Sequence, residues 1–407
     1  MPDKPKIICW AQGAQPTMPL SYLADELKDL EASGLRRHRR VLESPQGVRI
    51  VVGGRECLSF CSNDYLGLAS HPALIEAAQS AAARYGVGAG SSHLVSGHSV
   101  LHHELEAALA AFTGLPAALL FSTGYMANLG IITALAGRDD EIFADKLNHA
   151  SLNDAVLLSR AKFTRYPHLD LVVLEKRLAA SRAKRKLVVT DAVFSMDGDI
   201  APVPELLALC ERYDALLVLD DAHGFGVLGL TGRGVLEHFS SLLTPHSSRF
   251  IYMATLGKAA GVFGAFVAGP AELADYLVQR ARTYIYTTAT PPLLSAALSA
   301  SLRLIEGEAW RRERLRELIA ALRLGLKLRR WRLMDSTTPI QPVIIGSNQE
   351  TLATSEALRE RGIWVPAIRP PTVPKGEARL RISLSASHTV EDVERLAAAL
   401  NELEGEA

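Results

Sequence analysis

A single lysine lies in a turn of small residues, within the segment "TLGKAAG" at residues 255–261. The apolar runs on either side, "RFIYMA" and "VFGAFVAG", predict two buried strands that enclose this turn. A lysine in a close-packed, partly dry turn loses hydration, which lowers its pKa toward neutrality and leaves a nucleophilic amine. Lys258 is therefore a candidate for a Schiff base with a carbonyl compound. The alternative is a lysine that extends into solvent.

A carboxylate and an imidazole follow the apolar run "ALLVLD" at residues 215–220. Asp220 ends this predicted strand, at the carboxyl edge where open α/β sheets bind ligands, and His223 comes shortly after it. A carboxylate at a buried strand end suits a cationic partner such as a pyridinium nitrogen. A helix cap or a hydrogen bond within the core explains Asp220 equally well when it is considered alone.

The segment "FSTGYMAN" at residues 121–128 predicts a strand that runs directly into a helix. The free amide groups at such a helix start, over residues 122–124, favour a phosphate. Thr255 lies close to Lys258 in the chain and can add a hydroxyl to the same phosphate. A phosphate site, a strand-end aspartate and a Schiff-base lysine together describe pyridoxal phosphate.

Two glycine patterns suggest nucleotide binding but lack the necessary context. Residues 224–229, "GFGVLG", match Gly-x-Gly-x-x-Gly, yet "LTGRG" follows them where a dinucleotide site needs a helix. Residues 257–259, "GKA", lack the Ser/Thr and the upstream glycine of a P-loop. A nicotinamide-dependent dehydrogenase therefore remains only an alternative, and a nucleoside triphosphatase is disfavoured.

The composition excludes several classes of protein. The 407 residues include 44 Lys plus Arg and 44 Asp plus Glu, so the formal net charge is zero. The chain therefore has no excess positive charge that would attract nucleic acid or an anionic membrane over a long range. The cysteines, Cys9, Cys57, Cys61 and Cys210, form no Cys-x-x-Cys pair, and we expect no metal site. No signal peptide and no membrane-spanning run is recognisable. We expect a cytoplasmic protein without nucleic-acid or membrane partners.

The order of elements predicts an N-terminal segment and a large α/β domain. Residues 1–60 contain a loose tail over 1–18, a helix over 20–34 and a β-hairpin at Gly53-Gly54. Residues 61–290 alternate strands with helices, and the nearly continuous apolar strands predict a mostly parallel sheet covered by helices on both faces. The predicted strands span residues 117–121, 140–144, 186–193, 215–220, 250–254 and 263–268.

The remaining chain, residues 291–407, predicts a linking helix and a smaller C-terminal domain. One long helix is expected from Pro291 to about residue 328. A strand, a helix, a strand and a helix follow, which is typical of a small α+β domain. The fold class is therefore α/β, with a large domain and a smaller one.

Several segments together resemble the α-oxoamine synthases, a family of fold-type-I pyridoxal-phosphate transferases. The resemblance extends from about residue 20 to the end of the chain and implies the same two-domain fold. It also implies a homodimer whose active site lies at the subunit interface. The segments are "SNDYLGL" (62–68), "HASLNDA" (149–155), "VFSMDGDIAP" (193–202), "DDAHGFGVLG" (220–229), "TLGKAAG" (255–261) and "IYTTATPP" (285–292).

The segment "WVPAIRPPTVPKGEARLRISLSASHT" (364–389) resembles one branch of the family in particular. That resemblance implies an acyltransferase that condenses L-alanine with a pimeloyl thioester in biotin synthesis. The acyl group is carried by CoA or by an acyl carrier protein, which would then be a partner. The alternatives are a sister synthase that uses glycine or serine with another acyl-CoA, and a protein that binds pyridoxal phosphate without turnover.

The resemblance also implies a role for each matching position. Lys258 carries the cofactor as a Schiff base, Asp220 pairs with the pyridine nitrogen, and His149 stacks on the ring. His223 and Ser195 lie near the phenolic oxygen. Further positions contact the phosphate or the substrate. These are Gly124, Tyr125 and Thr255 for the phosphate, Thr287 and Thr288 for the phosphate from the second subunit, and Arg36, Thr372 and Arg381 for the substrate.

Overall fold

A computed structural model of the protein describes residues 20–239 and 248–406. The tail predicted over residues 1–18 lies outside the described residues, as does Cys9. The described helices are α1 Tyr22–Ala32, α2 Pro72–Tyr85, α3 Val100–Thr113, α4 Gly124–Leu135, α5 Ala150–Ser159, α6 Leu171–Ala180, α7 Val203–Arg212, α8 Val235–His238, α9 Ala271–Arg280, α10 Arg282–Ile285, α11 Pro292–Gly307, α12 Trp310–Gly325, α13 Asn348–Glu360 and α14 Val390–Glu406. The described strands are β1 Arg49–Val52, β2 Arg55–Ser59, β3 Ala117–Phe121, β4 Glu141–Asp145, β5 Lys162–Tyr166, β6 Lys186–Asp191, β7 Ala215–Asp220, β8 Phe250–Thr255, β9 Ala265–Gly269, β10 Arg332–Leu333, β11 Ile340–Gly346, β12 Ile363–Trp364, β13 Ala367–Ile368 and β14 Ala378–Ser383. None of these helices combines the length and the apolar character needed to cross a membrane.

A seven-stranded sheet in the order β3-β9-β8-β7-β6-β4-β5 forms the centre of the described chain. Its strands pair in parallel except β9, which runs antiparallel to both β3 and β8. Leu187, Val188 and Val189 of β6 are all buried and belong alternately to two separate hydrophobic clusters. Both faces of the sheet are therefore covered, as the continuous apolar runs predict. The predicted α/β class is confirmed.

Six strands of the central sheet agree with the predicted segments to within two residues. The seventh, β5, was not predicted. Its sequence "KFTRY" carries two basic residues, and it lies at the edge of the sheet, paired only with β4 among the described strands. An edge strand is covered less completely than a central one, so it lacks the continuous apolar run that identified the others.

The single helix predicted from Pro291 to about residue 328 is wrong. Two helices, α11 and α12, occupy this segment, and the chain leaves helical geometry at Glu308, where φ is −107° and ψ is 66°. Arg312 Nη1 donates to Ile305 O in the last turn of α11 at 2.6 Å, while Nε and Nη2 both donate to Leu230 O at 3.0 and 2.8 Å. The buried Arg312 guanidinium thus satisfies a helix-end carbonyl and fixes the corner, a long-range contact that helical periodicity does not reveal.

The N-terminal hairpin forms as predicted. β1 and β2 pair antiparallel around Gly53 and Gly54, which both have positive φ. Strand β12 adds in parallel to β2 and makes a three-stranded sheet. Helix α1 precedes this sheet and has no buried residue within the described chain.

A second, four-stranded antiparallel sheet in the order β10-β11-β14-β13 lies in the C-terminal part. The predicted strand, helix, strand and helix correspond to β11, α13, β14 and α14. Leu396 and Leu400 of α14 are buried in one cluster with Leu380 and Ile382 of β14. This packing anchors β14, which carries Arg381. The limits of the three predicted parts remain a prediction.

We predict that Arg312→Met destabilises the protein by about 2–4 kcal/mol in the free energy of unfolding. The substitution removes the donor to the carbonyl groups of Leu230 and Ile305, of which the bond to Ile305 is buried and those to Leu230 are part-buried. Arg314→Met on the same helix is the matched control, because Arg314 forms a partly exposed ion pair with Glu317 and its loss should cost less than about 1 kcal/mol. Urea unfolding of both variants tests this. Equal effects of the two substitutions would contradict the role given to Arg312.

Candidate active site

Lys258 lies in the loop between β8 and β9, as predicted. The loop is closely packed: Gly261 has a φ of +70°, and a Cβ there would lie 2.7 Å from Ala69 N. Lys258 Nζ is 2.7 Å from His223 Nε2. Burial lowers the pKa of Lys258 to about 8, although the charge of Asp220 opposes the shift. The amine is therefore easier to deprotonate than that of an exposed lysine.

His223 connects Lys258 to a chain of hydrogen bonds. Its Nδ1 lies 2.7 Å from Tyr65 Oη, and Tyr65 Oη donates to Asn63 Oδ1 at 3.1 Å. Burial, followed by the charge of Lys258, lowers the pKa of His223 well below its ordinary value, so the ring is neutral and has one N–H. When Lys258 donates to Nε2, that single proton must lie on Nδ1 and point to Tyr65.

Asp220 ends β7 in a buried position. Asn128 Nδ2 donates to its Oδ2 at 2.7 Å, and Ala222 N donates to its Oδ1 at 3.0 Å. Asp191 ends the neighbouring strand β6 and is paired with Asp220 in the sheet register. Burial and the charge of Asp220 raise the pKa of Asp191 well above its ordinary value. The raised pKa of Asp191 favours its neutral form, which disfavours two negative charges side by side at these strand ends.

His149 caps the N-terminus of α5, and its ring faces the same cleft. Its Nδ1 lies 2.7 Å from Ser151 Oγ, which in turn accepts from Asn128 Nδ2 at 2.9 Å. The backbone N–H of His149 donates to Asp191 Oδ2 at 2.6 Å. The orientation of the imidazole is thus coupled to Asp220 through Ser151 and Asn128.

Arg381 reaches the site from β14 of the second sheet. Its Nε donates to Ser195 O, its Nη1 to Asn63 Oδ1 at 3.1 Å and to Ser383 Oγ at 2.8 Å, and its Nη2 to Tyr65 Oη at 3.3 Å. Within the described residues, these bonds use four of the five N–H groups of the guanidinium. One donor on Nη2 therefore faces the cleft, where it can bind an anionic ligand.

These side chains surround one cleft of about 840 Å³. It lies between the carboxyl edge of the central sheet and the C-terminal sheet, and it is large enough for a cofactor with a substrate. The predicted residues that line it are His149, Ser195, His223, Lys258, Thr372 and Arg381.

The predicted phosphate-binding segment begins α4 directly after β3. A Cβ on Gly124 would lie 3.8 Å from the Cβ of Thr255, so the start of this helix and the end of β8 are in contact. Thr255 Oγ1 donates to Gly264 O at 3.0 Å. Tyr125 is exposed, and its hydroxyl donates to Asp154. The backbone amides at the start of α4 can thus hold one anionic group, and the Thr255 hydroxyl can donate to the same group only by turning away from Gly264 O.

Asp220, Gly124, Tyr125 and Thr255 lie at the sheet edge described above but do not line the cleft within one chain, and neither do Arg36, Thr287 and Thr288. Arg36 is exposed, 3.2 Å from Glu31, and lines a separate groove beside α1. Thr287 and Thr288 follow α10, and Thr287 borders another groove together with Met126. The predicted contribution of Thr287 and Thr288 from a second subunit remains a prediction.

The sequence reasoning missed Tyr65, Asn128 and Asp191. Tyr65 belongs to the quoted segment "SNDYLGL", but it was given no role. Asn128 lies one helical turn after Gly124, a spacing that returns it to the sheet edge. Asp191 ends a strand just as Asp220 does, but the predicted strand extended to residue 193 and concealed this position.

The chemistry of this set of donors fits pyridoxal phosphate. Lys258 offers a partly neutral amine for an aldehyde, and Asp220 offers a buried carboxylate for a ring N–H. His149 offers an imidazole for a ring face, and the start of α4 at Gly124 offers amides for a phosphate. All four lie at the same edge of the central sheet.

Comparison with known proteins agrees with this chemistry. The family model for aminotransferase class I and II matches residues 55–400. The 8-amino-7-oxononanoate synthase of Nitrosospira multiformis is 65% identical over 94% of this chain and 96% of its own length. A serine palmitoyltransferase from S. paucimobilis with bound PLP–myriocin aldimine has a TM-score of 0.88 at 31% identity, over 95% of this chain and 98% of that one. The 8-amino-7-oxononanoate synthase of Francisella tularensis has a TM-score of 0.73 at 32% identity, over 86% of this chain and 97% of that one. The chain therefore belongs to the aminotransferase class I and II family of fold-type-I pyridoxal-phosphate enzymes and, within it, to the 8-amino-7-oxononanoate synthases.

Proposed function

We propose that the protein condenses L-alanine with a pimeloyl thioester and releases 8-amino-7-oxononanoate, CO2 and a free thiol, in biotin biosynthesis. The observation that carries the proposal is the Lys258 amine, whose pKa burial lowers to about 8, in one cleft with His149 and His223. The choice of substrates follows from the 8-amino-7-oxononanoate synthases that this chain resembles at 58–65% identity.

Lys258 is the base that moves the substrate proton. Pyridoxal phosphate, when bound, supplies an aldehyde carbon for an amine and a pyridinium ring that accepts electrons. Lys258 Nζ removes the proton from Cα of alanine, and His223, 2.7 Å away, accepts a hydrogen bond from the resulting ammonium group. Cα then forms a bond to the thioester carbonyl carbon, and the C–S bond breaks. After the carboxyl group leaves as CO2, Lys258 returns its proton.

Asp220 stabilises the positive charge on the ring nitrogen. Asn128 and the backbone N–H of Ala222 fix the carboxylate by hydrogen bonds of 2.7 and 3.0 Å. The raised pKa of Asp191 favours its neutral form and so reduces the repulsion from a second negative charge beside Asp220. A fixed, desolvated carboxylate of this kind stabilises a positive charge on the ring nitrogen more strongly than the same carboxylate would in water.

The two histidines position the ring and its substituents. His149, held by Ser151, would cover one ring face of the cofactor and limit rotation of the ring. His223 and Ser195 would lie at the side of its phenolic oxygen. The neutral His223, oriented by Tyr65, keeps its acceptor nitrogen toward Lys258.

Different residues would hold the phosphate and the substrate. Gly124, Tyr125 and Thr255 would offer amides and a hydroxyl to the phosphate, and Thr287 and Thr288 of a second subunit would complete this site. Arg381 binds the substrate through its free N–H. The other substrate contacts are Thr372 in the cleft and Arg36 near the N-terminus. The acyl carrier is CoA or an acyl carrier protein, which would then be a transient partner.

The protein acts as a cytoplasmic homodimer in this proposal. Arg36 and Thr287 line grooves separate from the cleft of their own chain, and Thr288 follows Thr287, which fits a role in the cleft of a neighbour. The balanced charge gives no field for nucleic acid or a membrane.

A nicotinamide-dependent dehydrogenase is the weaker alternative. Residues 224–229 form turns after β7, and the next helix, α8, begins only at Val235. Gly226 has a φ of +79°, and a Cβ there would lie 2.8 Å from that of Ala259. These glycines therefore serve close packing against the Lys258 loop, and no helix start is available for a pyrophosphate.

A substrate comparison tests the proposed function. We predict that the cofactor-loaded enzyme turns over L-alanine with pimeloyl-CoA at least about 10-fold faster, in kcat/KM, than glycine or serine, because one methyl or hydroxyl changes pocket contacts by that order. Product mass and thiol release are the measurements, and Lys258→Ala is the inactive control. Faster turnover of glycine or serine with another acyl-CoA would identify a sister synthase, and no turnover would indicate a passive binder of the cofactor.

The protonation states of the two strand-end aspartates give a second prediction. Asp220→Asn should lower kcat/KM by more than about 100-fold at pH 7, because it removes the charge opposite the ring nitrogen. Asp191→Asn should stay within about 3-fold, because burial raises the pKa of Asp191 and favours its neutral form, and the amide oxygen still accepts from His149 N–H. Steady-state kinetics on both variants provide the test, and similar losses would show that Asp191 carries charge.

Mixed dimers test the shared active site. A chain with Lys258→Ala and a chain with Thr287→Ala and Thr288→Ala should each be impaired. Co-expressed as a heterodimer, they should recover about half the activity of a wild-type dimer, because one of the two sites then has every group intact. Purified heterodimers and sedimentation provide the measurement. A fully active monomer, or no recovery on mixing, would exclude the role of Thr287 and Thr288.

A further inference from the structure

A cluster of metal-binding side chains lies away from the Lys258 cleft, at the start of α3. It comprises His98, His103 and Glu106 and is called the histidine cluster below. His98 follows the π-helical turn His93–Gly97, while His103 and Glu106 are three residues apart on α3 and so share one face. None of the three lines the active-site cleft.

The ligand atoms of the histidine cluster are already close together. One nitrogen or oxygen from each residue lies within 4.8 Å of the other two, and His98 Nε2 is 3.9 Å from Glu106 Oε2. Ligand atoms around a tetrahedral zinc ion are roughly 3.3 Å apart, as follows from metal–ligand distances of about 2.05 Å. Modest side-chain rotation therefore completes the coordination. His103 is exposed, which leaves a path for an ion and a water.

Neighbouring groups orient two of the ligands for metal binding. Glu106 Oε1 accepts from Leu120 N at 2.9 Å, which leaves Oε2 toward the histidines. His98 Nδ1 lies 3.0 Å from His93 Nδ1. If His98 donates in this bond, its Nε2 is free of hydrogen and can bind a metal. His93 is held in place by stacking on Tyr284, with ring centroids 4.8 Å apart.

His102, although adjacent, is not available as a ligand. Its Nε2 donates to Thr290 O at 2.7 Å, and its Nδ1 accepts from Ser99 N at 3.0 Å. Both nitrogens are therefore used in capping α3 and fixing the segment before α11. His102 therefore has a structural role, whereas His98 and His103 face the carboxylate of Glu106.

We propose that His98, His103 and Glu106 bind a divalent first-row transition metal, with zinc as the test ion, with His93 as the outer hydrogen-bond partner of His98. Two imidazoles and one carboxylate match the preferences of zinc, and water fills the fourth position. This departs from the expectation, based on the cysteines, that the protein has no metal site. The bound ion links the segment after the π-helical turn to α3, next to the Thr290 segment that His102 holds.

Zinc titration of the cofactor-loaded, chelator-treated full chain tests this site. Calorimetry should find one zinc per chain, and His98→Gln, His103→Gln and Glu106→Gln should each weaken binding at least about 100-fold, more than loss of an outer partner does. His38→Gln is the matched control, because His38 is exposed beside α1 and should leave the affinity unchanged. The visible spectrum of the bound cofactor verifies that each variant is folded.

Two results would overturn the proposal. Zinc affinity equal in the wild type and His103→Gln would mean adventitious surface binding only. A sulfur atom in the zinc shell by X-ray absorption would place the ion on a cysteine, whereas nitrogen and oxygen at about 2.0–2.1 Å support the histidine cluster. His93→Phe keeps the stacking on Tyr284 and should weaken binding about 10-fold. Unchanged affinity in this variant would contradict the role of His93.

Discussion

The candidate active site depends on the enclosure of one amine, that of Lys258, in a closely packed loop. The loop between β8 and β9 holds Lys258 against His223, and burial lowers the pKa of the amine to about 8 from 10.5. At pH 7 roughly a tenth of such amines are neutral, against less than about a thousandth at the ordinary value. The enclosure requires glycine at Gly226 and Gly261, where any Cβ would push the loop outward. Backbone packing therefore sets the reactivity of this nitrogen.

The sheet edge explains how distant segments meet around that amine. Parallel strands β6 and β7 end side by side, which places Asp191 beside Asp220, and burial together with the charge of Asp220 raises the pKa of Asp191. The helices α4 and α5 begin at the same edge and bring Asn128 and His149. Arg381 comes from the other sheet and bonds the backbone of Ser195, so the cleft depends on contact between the two sheets. Positions far apart in sequence thus form one hydrogen-bonded unit.

The sequence predicted those features that depend on local pattern. Apolar runs located the central strands, and small residues around Lys258 identified the loop. Long-range contacts could not be predicted. Arg312 fixes the corner between α11 and α12 by a hydrogen bond to Leu230 O, and the helical periodicity of the sequence does not indicate such a contact. Polar partners such as Tyr65 were missed because a buried tyrosine in a turn looks like any core tyrosine.

The central claim is that the amine of Lys258 carries the pyridoxal phosphate. Borohydride reduction of the purified protein, followed by proteolysis and mass analysis of the peptides, tests it most directly, because reduction makes an imine permanent. The account predicts one pyridoxyl adduct per chain, on the peptide that contains Lys258. An adduct on another lysine, or a protein without any adduct after incubation with the cofactor, would contradict it.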